Sequence, residues 1–190
     1  MGFTKAQLAA HRGAVVDDLL GDGCRLLFVG INPSLWTAAT GAHFARPGNR
    51  FYPALYRAGI VDRLIDASDG YTAADRELLL RRGIGITNLA PRATARADEL
   101  TPDELRDGTQ RLIETVRTAA PRVVAVAGIT AYRTAFRRPN AVTGEQDEQL
   151  AGTPLWIVPN PSGLNAHDTV DSLAAAYRRV GQAAGIVAAG

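Results

Sequence analysis

Short apolar runs alternate along the chain with longer segments whose apolar positions recur at helical spacing. Four such runs predict buried β-strands at 26–29, 85–89, 122–127 and 155–158. The run at 122–127 is apolar almost throughout, as expected for a strand covered on both faces. This alternation of strands and helices predicts an α/β fold with a largely parallel sheet.

The helical segments have recognisable starting signals. Thr72 and Thr101 are each followed three positions later by an acidic residue, which predicts capping boxes, and Pro102 suits a first helical position. The predicted helices cover 5–20, 50–58, 72–82, 101–119, a short segment after Gly128, and 169–184. The stretch from the first strand through Asn49 predicts a long irregular loop, and the polar segment 137–152 an exposed loop or hairpin.

We expect residues 1–190 to form a single domain, with the N-terminal helix within 1–23 peripheral, because no internal repeat or linker interrupts the pattern. No apolar run is long enough to span a bilayer, and the N-terminus lacks the pattern of a secretory signal. A cytoplasmic location is therefore the expectation.

The composition limits which metal sites, disulfides and partners the chain can have. The single cysteine, Cys24, excludes an internal disulfide and an iron–sulfur cluster. The three histidines, His11, His43 and His167, have no metal-binding spacing, so no metal is expected. The net charge is +2 and Lys5 is the only lysine; such an arginine-rich chain is compatible with a nucleic-acid partner without requiring one.

Two loops leave the ends of predicted strands and share an Asn-Pro-Ser core. One is 30–34 (GINPS), and the other is 159–165 (PNPSGLN). Ligands of open parallel sheets bind at the carboxyl ends of strands, but Asn, Pro and Ser are also common in ordinary turns. The first loop has neither the glycine fingerprint nor the lysine of a phosphate binder; it presents the neutral amide of Asn32 instead.

Between these loops, segment 41–51 (GAHFARPGNRF) presents an aromatic ring and two arginines in a glycine- and proline-framed loop. By composition alone, Phe44 is more often a core residue than a stacking surface. His43 is by the same reasoning more often a surface residue than a catalyst.

Taken in order, GINPS, TG…FARPGNRF, TNLAPRATARADEL and NPSGL resemble the mismatch-specific uracil/thymine-DNA glycosylases of the Mug type, within the uracil-DNA glycosylase superfamily. The resemblance runs from Arg25 to Arg178. The iron–sulfur branch requires cysteines that this chain lacks. The highly active uracil-specific branch has an aspartate where Asn32 stands and a histidine where Asn160 stands.

The resemblance implies a three-layer α/β sandwich with a short, mainly parallel four-stranded sheet, and a site without cofactor or metal. Asn32 would orient the attacking water, and Phe44 would stack on the extruded base. Backbone N–H groups around Ile31 and Phe44 would bind the edge of the pyrimidine. The remaining implied substrate-binding residues are Gly30, Ile31, Pro33, Thr37 and Asn160.

The implied DNA wedge is Ser162, Gly163, Leu164 and Asn165. Leu164 would fill the space that the base vacates, and backbone groups of Gly163 and Asn165 would contact the opposite guanine. From the sequence alone, such a leucine is more often a buried loop anchor, but the preceding NPSG favours the wedge. Two departures from the family are Ser34, where glycine is frequent, and Asn165-Ala166, where some members have Ser-Arg.

The leading hypothesis is a monomeric, monofunctional glycosylase that removes uracil, and related lesions such as ethenocytosine or thymine, opposite guanine in double-stranded DNA. No lysine lies near either motif to attack the sugar. One alternative is a non-catalytic module that binds DNA lesions. The other is a generic nucleotide-binding enzyme, which the missing phosphate-binding motifs disfavour.

Overall fold

Helices and strands alternate along the chain, as the sequence predicts. The computed structural model describes residues 2–189. Its elements are α1 (Lys5–Ala9), β1 (Leu26–Gly30), α2 (Leu35–Thr40), α3 (Phe51–Arg57), α4 (Ala73–Arg81), β2 (Ile84–Asn88), α5 (Pro102–Ala119), β3 (Val123–Ala127), α6 (Ile129–Ala135), β4 (Gly144–Leu150), β5 (Thr153–Val158) and α7 (Val170–Ala183). The capping boxes expected at Thr72 and Thr101 are both formed.

The strands form one sheet in the order β2-β1-β3-β5-β4. β2, β1, β3 and β5 are parallel, and β4 pairs antiparallel with β5. The chain moves from β1 to one side to form β2 and then to the other side to form β3. The strand order therefore reverses between β1 and β3, and open α/β sheets bind ligands beyond the carboxyl ends of strands at such a point.

Each face of the sheet is covered by helices. Alternate residues of β1 enter different hydrophobic clusters, with Leu26 and Phe28 on one face and Leu27 and Val29 on the other. Residues of α3, α4 and α7 fill the first cluster, and residues of α5 and α6 fill the second. The α/β fold with helices on both faces of the sheet is thus confirmed.

The sheet has five strands, so the expectation of four is wrong. The additional strand is β4 (GEQDEQL), whose polar sequence predicts a loop or hairpin and in fact forms an antiparallel hairpin with β5. Its residues alternate between exposed and half-buried up to Leu150, which is buried. An edge strand is solvated on much of its surface, so it lacks the apolar run by which the other strands are recognised.

The first helix is shorter than predicted, because α1 ends at Ala9 rather than near residue 20. Gly13 has a φ of 79°, a left-handed conformation that suits glycine and ends the helical path. The chain then extends along the sheet edge, where Leu19 bridges antiparallel to Ile86 of β2.

The loop predicted to run through Asn49 contains a helix, α2. The Ser34 side chain accepts a hydrogen bond from the N–H of Thr37, and Gly41 ends the helix with a φ of 70°. Serine at the N-cap and glycine at the C-cap are ordinary helix signals, but a helix of six residues is too short for its periodic pattern to be recognised.

Candidate active site

A cleft of about 700 Å³ opens beyond the carboxyl ends of β1 and β3. Both Asn-Pro-Ser loops line it, together with the segment that carries Phe44. Ten of the predicted site residues lie at its surface: Gly30, Ile31, Asn32, Pro33, Thr37, Phe44, Asn160, Ser162, Leu164 and Asn165. Gly163 is the remaining predicted site residue, and it lies on the exposed tip of the second loop.

The side chain of Asn32 is anchored through its nitrogen. Nδ2 lies 3.0 Å from the carbonyl oxygens of Pro33 and Arg92 and 2.8 Å from Oγ1 of Thr94. All three atoms can accept a hydrogen bond, so the amide group has only one favourable orientation. Within residues 2–189, no protein group donates to Oδ1 of Asn32, which leaves that oxygen as an acceptor for a molecule in the cleft.

Thr94 helps to orient the Asn32 side chain by accepting a hydrogen bond from it, although the sequence analysis assigned Thr94 no role. It is buried, and its hydroxyl donates to the carbonyl oxygen of Arg96 at 2.7 Å while accepting from Asn32. Its backbone N–H donates to the Pro33 carbonyl oxygen at 3.2 Å, which joins the two segments. Thr94 lies in TNLAPRATARADEL, one of the segments on which the family resemblance rests, and this was the signal that could have identified it.

Phe44 presents a flat aromatic surface to the cleft. Its ring stacks on the buried ring of Phe51, with 4.1 Å between centroids and 23° between planes. Phe44 has a φ of 55°, which is uncommon for a residue with a side chain. Phe44 is half-buried: it packs against the hydrophobic core through Phe51 and also lines the cleft.

A buried pair, Asn88 and His43, closes the inner end of the cleft, and the sequence analysis missed both. His43 is 2% exposed, so its expected place on the surface is wrong. Its Nε2 lies 3.1 Å from the carbonyl oxygen of Asp17 and must donate, which leaves Nδ1 to accept from Nδ2 of Asn88 at 3.4 Å. Burial lowers the pKa of His43, which favours the neutral ring that this hydrogen-bond arrangement requires.

Gly30 leaves room for this asparagine. Asn88 pairs with Gly30 across the parallel ladder, and a Cβ at Gly30 would lie 2.5 Å from Asn88 Oδ1. A side chain at position 30 would therefore displace the asparagine. The position of Asn88 at the carboxyl end of a predicted strand was the signal that could have identified it.

The second loop holds Leu164 out from the protein surface at the mouth of the cleft. Leu164 is 72% exposed, so the alternative of a buried loop anchor is wrong. Ser162 N–H donates to Asn160 Oδ1 at 3.0 Å, and Leu164 N–H donates to Ser162 Oγ at 3.2 Å. Asn165 Nδ2 donates to the Asn160 carbonyl oxygen at 3.0 Å and to the Asp168 carboxylate at 2.8 Å.

The backbone of Asn165 is also engaged inside this loop. Its N–H donates to the Ser162 carbonyl oxygen at 2.9 Å, and its carbonyl oxygen accepts from Arg50 at 2.6 Å. In this conformation the Asn165 N–H is already used within the loop, so an opposite guanine could bond only to the second lone pair of the Asn165 carbonyl oxygen. Gly163 has no hydrogen bond to any residue within 2–189, so its backbone groups are available.

Comparison with known proteins agrees with this architecture. Residues 18–180 match the family model described as the uracil DNA glycosylase superfamily. The chain belongs to the uracil DNA glycosylase superfamily. Membership implies a hydrolase that acts on N-glycosidic bonds in DNA.

A solved structure has the same fold. It is the solution NMR structure of "a putative Uracil DNA glycosylase from Methanosarcina acetivorans", with a TM-score of 0.59 and 17% sequence identity, covering 90% of this chain and 98% of that one. At this identity the likeness concerns the fold alone. Over residues 2–189, no helix combines the length and apolar character needed to cross a membrane.

Proposed function

We propose that the protein is a monofunctional DNA glycosylase. It hydrolyses the bond between deoxyribose and uracil, and related lesions such as ethenocytosine or thymine, opposite guanine in double-stranded DNA, and it leaves an abasic site. The observation that carries the proposal is the Asn32 amide, anchored through its nitrogen with its oxygen free in a cleft shared by both Asn-Pro-Ser loops.

The reaction requires a water molecule held near the anomeric carbon while negative charge develops on the departing base. Asn32 Oδ1 accepts a hydrogen bond from that water and orients it. A neutral amide is not a strong base, so the side chain contributes mainly by positioning and by favourable electrostatics. Uracil is a fairly good leaving group, and a weakly activated water therefore suffices.

The surroundings of Asn32 also favour an amide over a carboxylate. An aspartate at this position would place an oxygen about 3 Å from the carbonyl oxygens of Pro33 and Arg92, where Asn32 donates hydrogen bonds. Oxygen atoms without an intervening proton repel one another at that distance. The anchoring carbonyl groups thus select a donor, and the water faces the other end of the amide.

The inner cleft suits an extruded pyrimidine. Phe44, backed by Phe51, offers the stacking surface that a flipped base requires. The backbone N–H groups of Ile31 and Phe44 have no protein acceptor within residues 2–189 and can donate to the carbonyl groups of the base. Asn88 adds a buried amide at the far end, where it faces an edge of the base.

Leu164 is the wedge in this proposal. Its exposed apolar side chain enters the space that the base vacates, and the weaker pairing of a mismatch lowers the free energy of extrusion. Arg46 is exposed at the rim of the cleft and can bind a backbone phosphate, whereas Arg96, also exposed there, pairs with Asp98 and would have to exchange that partner for a phosphate. Lys5, the only lysine, lies in α1 and does not line the cleft, which supports a monofunctional hydrolase.

The test is a single-turnover excision assay on duplexes that contain G·U, G·T, A·U or ethenocytosine opposite guanine. We expect excision from G·U, and an Asn32→Ala variant should be about 100-fold to 1000-fold slower while it still binds duplex DNA. Asn140→Ala, which truncates an exposed asparagine outside the cleft, is the matched control and should match the unmodified protein. If the unmodified protein binds a mismatch but excises nothing, the non-catalytic lesion-binding alternative replaces this proposal.

A further inference from the structure

Arg50 binds the backbone of the loop that carries Leu164. Its N–H donates to the Pro161 carbonyl oxygen at 2.9 Å. Its Nη2 donates to the carbonyl oxygens of Ser162 and Asn165, each at 2.6 Å, and its Nη1 donates to that of Asp168. One residue outside the loop thus spans it from 161 to 168, and it binds only carbonyl oxygens there.

A second contact joins the same two segments. Gly163 lies so close to the backbone of Gly48 that a Cβ on Gly163 would be 2.7 Å from the Gly48 carbonyl oxygen. The loop tip therefore rests directly on the segment that leads into Arg50. Only a residue without a side chain allows that approach.

Arg50 also connects the loop to the base pocket. The next residue, Phe51, begins α3 and supports the ring of Phe44. The same backbone segment therefore fixes the loop that carries Leu164 and the surface on which a base would stack.

We propose that Arg50 is a positioning residue that holds Leu164 in the orientation needed to enter the duplex. This inference rests on the proposed function. A flexible loop would lose conformational entropy when Leu164 is inserted, and the guanidinium removes much of that loss by fixing three backbone carbonyl groups beforehand. Lysine keeps the charge but cannot reproduce the planar fork that reaches carbonyl groups in several directions.

The test compares Arg50→Lys with Arg25→Lys. Arg25 is a matched control because its guanidinium also donates to two backbone carbonyl oxygens, those of Gly185 and Arg82, at the end of the sheet opposite the cleft. Excision is measured in single turnover on a G·U duplex and on the same strand without its complement. A single strand requires no wedge, so it reports on the base pocket and the chemistry alone.

We expect Arg50→Lys to slow duplex excision about tenfold or more, as the loss of several hydrogen bonds predicts, and to change single-strand excision less than about twofold. Arg25→Lys should leave both rates unchanged. In a Leu164→Ala background, Arg50→Lys should have little further effect on the duplex rate, because both changes remove the same function. This double-mutant cycle needs only the duplex substrate.

Gly163→Ala is a second variant, and it tests whether the position of the Leu164 loop controls duplex excision if Arg50→Lys does not fold. Its methyl group would push the loop away from Gly48 in an exposed region, and we expect the same selective loss on the duplex. Equal losses on both substrates, or multiplicative effects of the Arg50 and Leu164 changes, would overturn the inference. A reduced salt dependence of duplex binding in an Arg50→Gln variant, which removes the charge, would show a direct phosphate contact instead.

These results are distinguishable from failure of the proposed function. In that case the unmodified protein excises uracil from neither substrate, and the role assigned to Arg50 falls with it.

Discussion

Thr94→Val should disorient Asn32 without altering the cleft. Valine has nearly the same shape as threonine, but it removes the acceptor 2.8 Å from Asn32 Nδ2 and the donor 2.7 Å from the Arg96 carbonyl oxygen. Each hydrogen bond contributes about 0.5–1.5 kcal/mol net, so we expect the free energy of unfolding to fall by about 1–3 kcal/mol. Asn32 keeps its two carbonyl acceptors, which limits the change to a partial loss of orientation.

The catalytic consequence follows from that partial loss. Weakening the preferred amide orientation by about 1–1.4 kcal/mol slows the chemical step roughly fivefold to tenfold. The assay is single-turnover excision from a G·U duplex, with binding to a duplex that contains an abasic site measured in parallel. We expect the rate to fall and the binding to remain unchanged.

Two variants make this prediction specific. Thr94→Ser keeps the hydroxyl and should keep most of the rate. Thr153→Val removes another buried hydroxyl, one that donates to the Pro121 carbonyl oxygen outside the cleft, and should reduce stability alone. The reasoning is refuted if Thr94→Val excises uracil at the unmodified rate, or if Thr153→Val slows excision equally.

Three further predictions follow from the same structure. Gly30→Ala places a methyl group 2.5 Å from Asn88 Oδ1, so single-turnover excision should slow about tenfold or more; an unchanged rate would contradict the close approach. Burial lowers the pKa of His43 from its ordinary 6.5, so the unfolded chain binds more protons below that pH. Stability should then decline as the pH falls through about 6.5, and less steeply in His43→Gln, as measured by Tm against pH. Gly108→Ala puts a Cβ 2.1 Å from the Leu89 carbonyl oxygen, and urea unfolding should show a loss of about 1–3 kcal/mol or more, unlike alanine at an exposed position of α5.

Sequence patterns predicted the parts of the fold whose signals are local. The buried strands and the long helix α5 follow from apolar runs and from the capping box at Thr101. Elements with weak local signals were predicted poorly: β4, which is polar because it lies at a sheet edge, was expected only as part of a loop or hairpin, and the short α2 was missed. The N-terminal segment was predicted as one helix, but its pairing with β2 at Leu19 depends on a partner far along the chain.

The amino-acid sequence by itself determined the alternation of strands and helices, and its motifs indicated Asn32, Phe44 and Leu164 as candidate site residues. Tertiary structure decided which atoms of these residues are free. The Asn32 amide is oriented by acceptors about 60 positions away, and the Leu164 loop is fixed by Arg50, more than 110 positions away. The physical reason is that a hydrogen bond depends on distance and direction in space, and residues so far apart in the chain meet only after the sheet has formed.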